Sequence, residues 1–279
     1  KLIIKPDDLK TSSDKKKKDE SLMYLSPDRD QIYYSSYGDD GKNGRDIYFV
    51  TRTPGGDLSK PTLIDDAINT KYDEDYAFLH PNGKTLYFCS KGHNSMGGYD
   101  LFKSVLNPDD NTWSKAENLG YPINGFADDR SISLTPDMRA GYISSFRPGG
   151  FGDLDIYVIN FPEQKEIPLT VFKGVLTDEN GKVPGDVMIT VTDNESGDLV
   201  GNYIPNSAPG KYLFILPPGK NYNVTYESEG HLFHSENIYV PDNSAYSEIN
   251  KAVELKPLVA GAKITLNNIF FEYDKTDVK

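Results

Sequence analysis

The chain has 279 residues, room for two domains, and its 37% hydrophobic, 26% charged and 12% aromatic composition belongs to folded modules rather than a disordered chain. A formal net charge of −12 argues against nucleic acid, whose binding rests on Lys and Arg neutralising phosphates, and gives no drive toward anionic lipid. The single cysteine excludes an internal disulfide, and no apolar run approaches the roughly 20 residues of a membrane-spanning helix.

The start, Lys1-Leu-Ile-Ile-Lys-Pro6, has no signal-peptide core and reads as the interior of a longer protein. The run Lys15 to Lys18 sits between Asp14 and Asp19-Glu20, which makes it a solvated loop rather than a basic patch. From there the chain carries three copies of one pattern. The copies begin Ser26-Pro-Asp28, His80-Pro-Asn82 and Thr135-Pro-Asp137, and they end in Asp46-Ile-Tyr, Asp100-Leu-Phe and Asp155-Ile-Tyr. Pro27, Pro81 and Pro136 are 54 and 55 residues apart, and so are Asp46, Asp100 and Asp155. Agreement at two anchors identifies an internal repeat.

Each copy has the same physical reading. Pro with the following Asp28, Asn82 or Asp137 makes a tight turn, because Pro fixes φ and the short polar side chain bonds nearby backbone. A β-branched and aromatic strand follows, then a Gly-rich loop, then a second strand opened by Asp46, Asp100 or Asp155. That Asp is expected to accept backbone N–H bonds at the turn. An acidic pair precedes each Pro, namely Asp19-Glu20, Asp73-Glu74 and Asp128-Asp129. The last two pairs follow matching linkers, Ala67-Ile-Asn-Thr70 and Pro122-Ile-Asn-Gly125, which the first copy lacks. Cys89, in an apolar run, reads as a small buried hydrophobe.

Strand–turn–strand units at this period predict propeller blades. Ser26-Pro-Asp with Ile32-Tyr-Tyr-Ser-Ser36, and Phe146-Arg-Pro-Gly-Gly-Phe-Gly-Asp-Leu-Asp155-Ile-Tyr, resemble the TolB-type propeller repeat. Three blades fall short of the four to eight of a closed ring, so further blades are expected upstream. The propeller segment is assigned to residues 1–160 and a polar, Pro-bounded linker to 161–168.

Residues 169–257 predict about seven short strands, among them Val171–Leu176, Val187–Thr192, Lys211–Leu216, Tyr222–Tyr226, Ile238–Val240 and Ala252–Leu255. Phe172-Lys-Gly-Val-Leu-Thr-Asp-Glu-Asn-Gly-Lys-Val-Pro184 and Gly210-Lys-Tyr-Leu-Phe-Ile-Leu-Pro-Pro-Gly-Lys-Asn-Tyr222 resemble the carboxypeptidase regulatory-like family. That resemblance implies a non-catalytic transthyretin/Ig-like β-sandwich. The whole chain is therefore expected to be all-β, a partial β-propeller followed by a sandwich.

Asn-Ile-Phe-Phe-Glu-Tyr-Asp, within residues 264–279, resembles the first strand of the OmpA C-terminal domain. The alternative is a last strand of the sandwich. The resemblance implies peptidoglycan binding by a missing C-terminal continuation. This module order resembles OmpA-family envelope proteins of Bacteroidota, including the PorE-like family of the type IX secretion system. It implies a periplasmic, outer-membrane-associated location and envelope or secretion-system proteins as partners.

No chemistry stands out. His231 and His234, three apart, face opposite sides of a strand and make a poor metal pair. Asp39 to Asp46 lacks the spacing of a calcium loop, and adjacent carboxylates such as Asp73-Glu74 point to opposite strand faces, which is unsuited to glycosidase chemistry. There is no Gly-x-Ser-x-Gly elbow and no phosphate loop. The sequence predicts no catalytic residue, metal or cofactor and a non-enzymatic scaffold, with Tyr37, Phe146 and Phe151 as candidate interaction surface. The alternative is a sensory module that grips a glycan or peptide.

Overall fold

The computed structural model describes residues 9–11, 14, 22–26, 30–38, 44–53, 57–161, 168–205 and 210–259. Residues 264–279, where the OmpA-type strand is expected, lie outside the described residues, as does Asp28. The chain forms two compact units, residues 1–166 and 167–279. The ordered elements named below are all β-strands, and no helix among the described residues is long and apolar enough to cross a membrane.

In the first unit three antiparallel meanders follow one another. The first is β1 (Met23–Leu25), β2 (Gln31–Ser36), β3 (Asp46–Thr51) and β4 (Thr62–Leu63). The second is β5 (Glu74–Leu79), β6 (Thr85–Ser90), β7 (Asp100–Asn107) and β8 (Thr112–Trp113), with β9 (Glu117–Asn118) also pairing β7. The third is β10 (Asp129–Leu134), β11 (Ala140–Ser145) and β12 (Asp155–Asn160). Each repeat therefore includes an inner strand before the Pro turn, and the first two also carry short outer strands.

Strand alternation gives every sheet two faces, and the sheets stack through them in a β-propeller arrangement. Tyr33 and Ile47 of the first sheet share a core with Leu86, Phe88 and Phe102 of the second. Tyr87, Cys89 and Leu101, on the other face of the second sheet, pack on Ile132, Leu134 and Ile143 of the third. The remaining face of the third sheet is open: Tyr142, Ile156 and Val158 are 57, 77 and 62% exposed, whereas the corresponding Tyr33, Ile47, Tyr87 and Leu101 are buried.

The second unit has two sheets. One is ordered β16 (Lys211–Leu216), β13 (Thr170–Asp178), β19 (Ser247–Leu255), with β13 and β19 parallel. The other is ordered β15 (Leu199–Tyr203), β14 (Met188–Asp193), β17 (Lys220–Glu227), β18 (His234–Val240). Alternate residues of both sheets enter one core, with Phe172 stacked on Phe214 at 5.4 Å and Val191, Val224 and Val240 facing them. Buried tyrosine hydroxyls find acceptors: Tyr212 donates to the Lys251 carbonyl at 2.8 Å, Tyr222 to the Pro217 carbonyl at 2.8 Å and Tyr226 to Glu236 at 2.9 Å. This satisfies polar atoms that would otherwise be costly to bury.

Candidate interaction rim

The register puts one set of loops at one end of the stacked sheets. Glu74 pairs with Ser90 and Ser90 with Asp100; Asp129 pairs with Ser145 and Ser145 with Asp155. The β6–β7 and β11–β12 loops therefore share a rim with the connectors 64–73 and 119–128, and Ser36 and Asp46, paired in the first sheet, stand at the same end.

The repeated acidic pair works as a latch between neighbouring sheets. Its first member reaches backward: Asp73 accepts from the Arg45 amide at 3.1 Å, and Asp128 accepts from the Tyr99 amide at 3.0 Å. Its second member turns to its own sheet, Glu74 accepting from Ser90 Oγ at 2.5 Å and Asp129 from Ser145 Oγ. In the first copy, Ser36 Oγ instead donates to Asp14 at 2.6 Å, and Asp14 also accepts from the Thr11 amide at 2.8 Å. The Asp19-Glu20 pair lies outside the described residues, so the acid seen at the first serine is Asp14.

The linkers that precede the pairs hold the other half of the latch. Asn69 accepts from the Ile47 amide at 2.8 Å and donates to the Ile47 carbonyl at 3.0 Å; Asn124 does both with Leu101 at 2.8 Å. An amide is the side chain that can mimic a strand edge in this way, offering one acceptor and one donor side by side. Gly98 follows from the same geometry, since a Cβ there would overlap the Asp128 carboxylate. His80, fully buried, accepts at Nδ1 from the Asn82 amide at 3.2 Å and donates from Nε2 to the Thr135 carbonyl of the third sheet at 3.3 Å. Burial holds its imidazole below the ordinary range, which keeps it neutral.

The strand-opening aspartates differ in setting. Asp100 Oδ2 accepts from the Met96 amide at 2.7 Å and Asn118 Nδ2 at 3.0 Å, and Asp155 accepts from the Phe151 amide at 2.8 Å. Asp46 is fully buried at the start of β3. At the opposite end, Asn82 Oδ1 accepts from the amides of Lys84 and Thr85, each at 3.0 Å, and Asp137 accepts from the Arg139 amide at 3.0 Å.

Besides the open face of the third sheet, the latch rim carries a group of exposed apolar side chains. Tyr72, Met96, Tyr121, Phe126, Phe146 and Phe151 are all exposed there, Phe126 at 73% and Phe151 at 103%. By contrast, the turns 80–84, 107–111 and 135–139 at the other end expose no large apolar side chain. Tyr37 is half-buried, with the Arg45 guanidinium 5.9 Å from its ring centre. Fixed charges separate the aromatics: Arg45–Asp75 and Lys91–Asp73 at 2.9 Å, and Arg130–Asp128 at 2.7 Å. Lys91 and Arg130 both approach the Tyr99 ring, at 4.6 and 5.0 Å. A hollow of about 660 Å³ is lined by His93, Asn94, Lys115 and Glu117 among others.

A second depression, about 260 Å³, crosses the inner strands of all three sheets and is lined by Leu22, Tyr24, Tyr76, Phe78, Ser131 and Ser133 among others. Tyr76 has φ +53°, an uncommon conformation for a bulky residue, at the bulge in β5. Sequence reasoning named Tyr37, Phe146 and Phe151 but missed Tyr72, Tyr121, Phe126, Tyr76 and the two clamping asparagines. Only the asparagines left a signal, the duplicated Ile-Asn. Among the described residues no three potential metal ligands cluster.

No family model matches the chain, and no curated protein matches it. Several solved structures share part of its shape. TolB from Acinetobacter baumannii is 13% identical over 72% of this chain and 43% of its own, with a TM-score of 0.34. The C-terminal fragment of the pilus adhesin SpaC from Lactobacillus rhamnosus GG is 12% identical over 72% of this chain and 84% of its own, at 0.28. The 3-chlorocatechol 1,2-dioxygenase of Rhodococcus opacus 1CP is 11% identical over 34% of this chain and 63% of its own, at 0.25. The chain thus spans under two thirds of TolB and of the dioxygenase. Likeness this low transfers no activity.

Proposed function

We propose that this chain is a non-enzymatic scaffold of the bacterial cell envelope, whose latch rim docks a protein partner. The observation that carries this reading is the contrast between the two ends of the stack: exposed aromatic and Met side chains crowd the latch rim, and the turns 80–84, 107–111 and 135–139 opposite expose no large apolar side chain. Aromatic anchors among fixed charges are the composition of a protein-binding surface, since rigid rings bury much area at low entropic cost. The second unit, with two sheets on one core, fits a transthyretin/Ig-like sandwich of the carboxypeptidase regulatory-like kind and acts as a spacer. The segment 264–279 would begin an OmpA-type domain that grips peptidoglycan, placing the protein in the periplasm beside the outer membrane. In this reading the partners are secretion-system or other outer-membrane proteins, as in the PorE-like family.

The test is in-cell crosslinking of the full chain against a variant carrying Phe126→Ser, Phe146→Ser and Phe151→Ser. Because these rings are exposed, folding should be unchanged, while crosslinks to specific envelope proteins fall at least about tenfold, as expected when hot-spot aromatics are lost. Crosslinks of equal yield from the triple variant would refute the rim as the docking surface. A second reading, a glycan- or peptide-binding module, draws on the inner-strand depression with Tyr24, Tyr76 and Phe78. Under that reading Tyr76→Ala abolishes ligand capture and the rim variant does not.

A further inference from the structure

The two filled junctions between sheets are built by one kind of continuous segment, used twice. Residues 62–79 supply β4, Asn69, the pair Asp73-Glu74 and β5; residues 117–134 supply β9, Asn124, the pair Asp128-Asp129 and β10. Each of these elements recurs after 55 residues, so the segment keeps its internal register from one junction to the next. In both places it meets the same backbone on the sheet before it. Asp73 and Asp128 accept from the amides of Arg45 and Tyr99, while the amides of Glu74 and Asp129 donate to the carbonyls of those same residues at 2.8 and 2.6 Å. Two positions further along the sheet, Asn69 and Asn124 clamp Ile47 and Leu101. The segment's inner strand then closes the core, Leu79 with Tyr33 and Ile47, Ile132 and Leu134 with Tyr87 and Leu101.

The third sheet presents the same surface without such a segment. Leu154 stands where Arg45 and Tyr99 stand in the other copies, and Ile156 where Ile47 and Leu101 stand. Beyond the β11–β12 ladder, the backbone groups of Leu154 and Ile156 have no hydrogen-bond partner among the described residues. Leu154 is 39% exposed, whereas Arg45 and Tyr99 are buried. On the same sheet Tyr142, Ile156 and Val158 form the open apolar face. β12 is also an edge strand, and among the described residues it lacks the outer strand that β3 and β7 carry. Its sequence, Asp-Ile-Tyr-Val-Ile-Asn, holds neither the Lys nor the Pro that commonly blocks a free edge. An apolar face beside an unguarded edge is a pairing surface.

The stretch of chain that follows does not fill this place. A further step of 55 residues leads to 172–189, where Glu179 replaces the Asn and Val183-Pro184 the acidic pair, and Phe172, Leu176, Val187 and Ile189 are buried in the second unit's own core. A second copy has no such segment free, since both of its own are engaged at its junctions. The far face of its first sheet is occupied as well, with Ile32, Tyr34, Tyr48 and Val50 buried. We propose that the open face and edge of the third sheet are a docking site for a further sheet of this same repeat. That partner enters with an outer strand, an Asn six residues beyond it, and an acidic pair four and five residues after the Asn, as Leu63, Asn69 and Asp73-Glu74 are spaced. Its Asn clamps Ile156, its first acid accepts from the Leu154 amide, the next amide donates to the Leu154 carbonyl, and its inner strand covers Tyr142 and Ile156. The pattern selects the partner, because a strand without it would bury those backbone groups unpaired. This inference does not rest on the docking role of the rim.

The probe is a labelled peptide of residues 117–134, which carries the pattern, titrated with the full chain and followed by fluorescence anisotropy and by hydrogen exchange at single amides. The expected result is saturable binding that slows exchange of the Ile156 amide. Binding should weaken at least about tenfold with an Asn124→Ala peptide, and equally with a chain carrying Ile156→Asp. Ile156 is exposed, so that chain should keep its Tm, and the peptide variant needs no folding at all. Absence of saturable binding would overturn the proposal, as would undiminished binding of the Asn124→Ala peptide. Slowed exchange at Leu101 with Ile156 unaffected would also overturn it, showing that the peptide only replaces the chain's own segment. So would an Ile156 amide that exchanges as slowly as Leu101 before any peptide is added, since the face would then be covered already. Self-association of the free chain that Ile156→Asp abolishes would assign the face to a second copy and sink the idea.

Discussion

Asn69 and Asn124 do more for the first unit than their side-chain size suggests. Each replaces a missing strand at a sheet edge, bonding both backbone groups of one residue in the preceding sheet. Both are buried. Asn124→Ala leaves the Leu101 amide without that partner, while the Leu101 carbonyl keeps the Leu119 amide at 3.0 Å, and should cost about 1–3 kcal/mol in urea unfolding of the first unit, the penalty for an orphaned buried donor. A loss below about 0.5 kcal/mol would mean that water replaces the clamp. The sequence displayed Ile-Asn twice, so the position was legible. Its target was not, because Asn69 and Asn124 reach residues 22 and 23 positions away through folded geometry. The same holds for Asp73 and Glu74. Their recurrence was visible, but not that one reaches backward and the other forward.

At the scale of strands, legibility followed length and composition. β2, β6, β13, β16 and β17 are runs of aromatic and β-branched residues, and they announce themselves. β15, Leu-Val-Gly-Asn-Tyr, carries a central Gly and a polar neighbour and went unnamed. The outer strands β4, β8 and β9 are two residues long, held by register with β3 or β7 rather than by propensity. The inner strands β5 and β10 each contain a bulge, which breaks the period-two pattern that sequence reading relies on. In the second unit the alternation of β16 is clean, and Phe214 is its keystone, touching the rings of Phe172, Tyr203 and Tyr212. Phe214→Ala should destabilise that unit by about 3–5 kcal/mol, with a lower denaturant midpoint and an unchanged slope. A cost near 1 kcal/mol would show that the surrounding rings collapse into the space.

On the scale of the whole molecule, the repeat supplies its own control. Ile47, Leu101 and Ile156 each follow the strand-opening Asp, on strands that are equivalent in the three copies. Ile47 and Leu101 are fully buried beneath the next sheet, whereas Ile156 is 77% exposed. The chemistry of the side chain is the same at 47 and 156, so any difference in substitution cost reports covering alone. Ile47→Ala should cost about 2–5 kcal/mol and Ile156→Ala less than about 0.5 kcal/mol, measured by denaturant unfolding of the same chain. Equal costs would mean that the third sheet is covered in solution as fully as the first. The expected inequality would instead separate what the repeat encodes from what its surroundings complete. A branched aliphatic residue at that position is part of the repeated pattern, but its burial belongs to whichever sheet stacks upon it, and no single copy of the pattern contains that information.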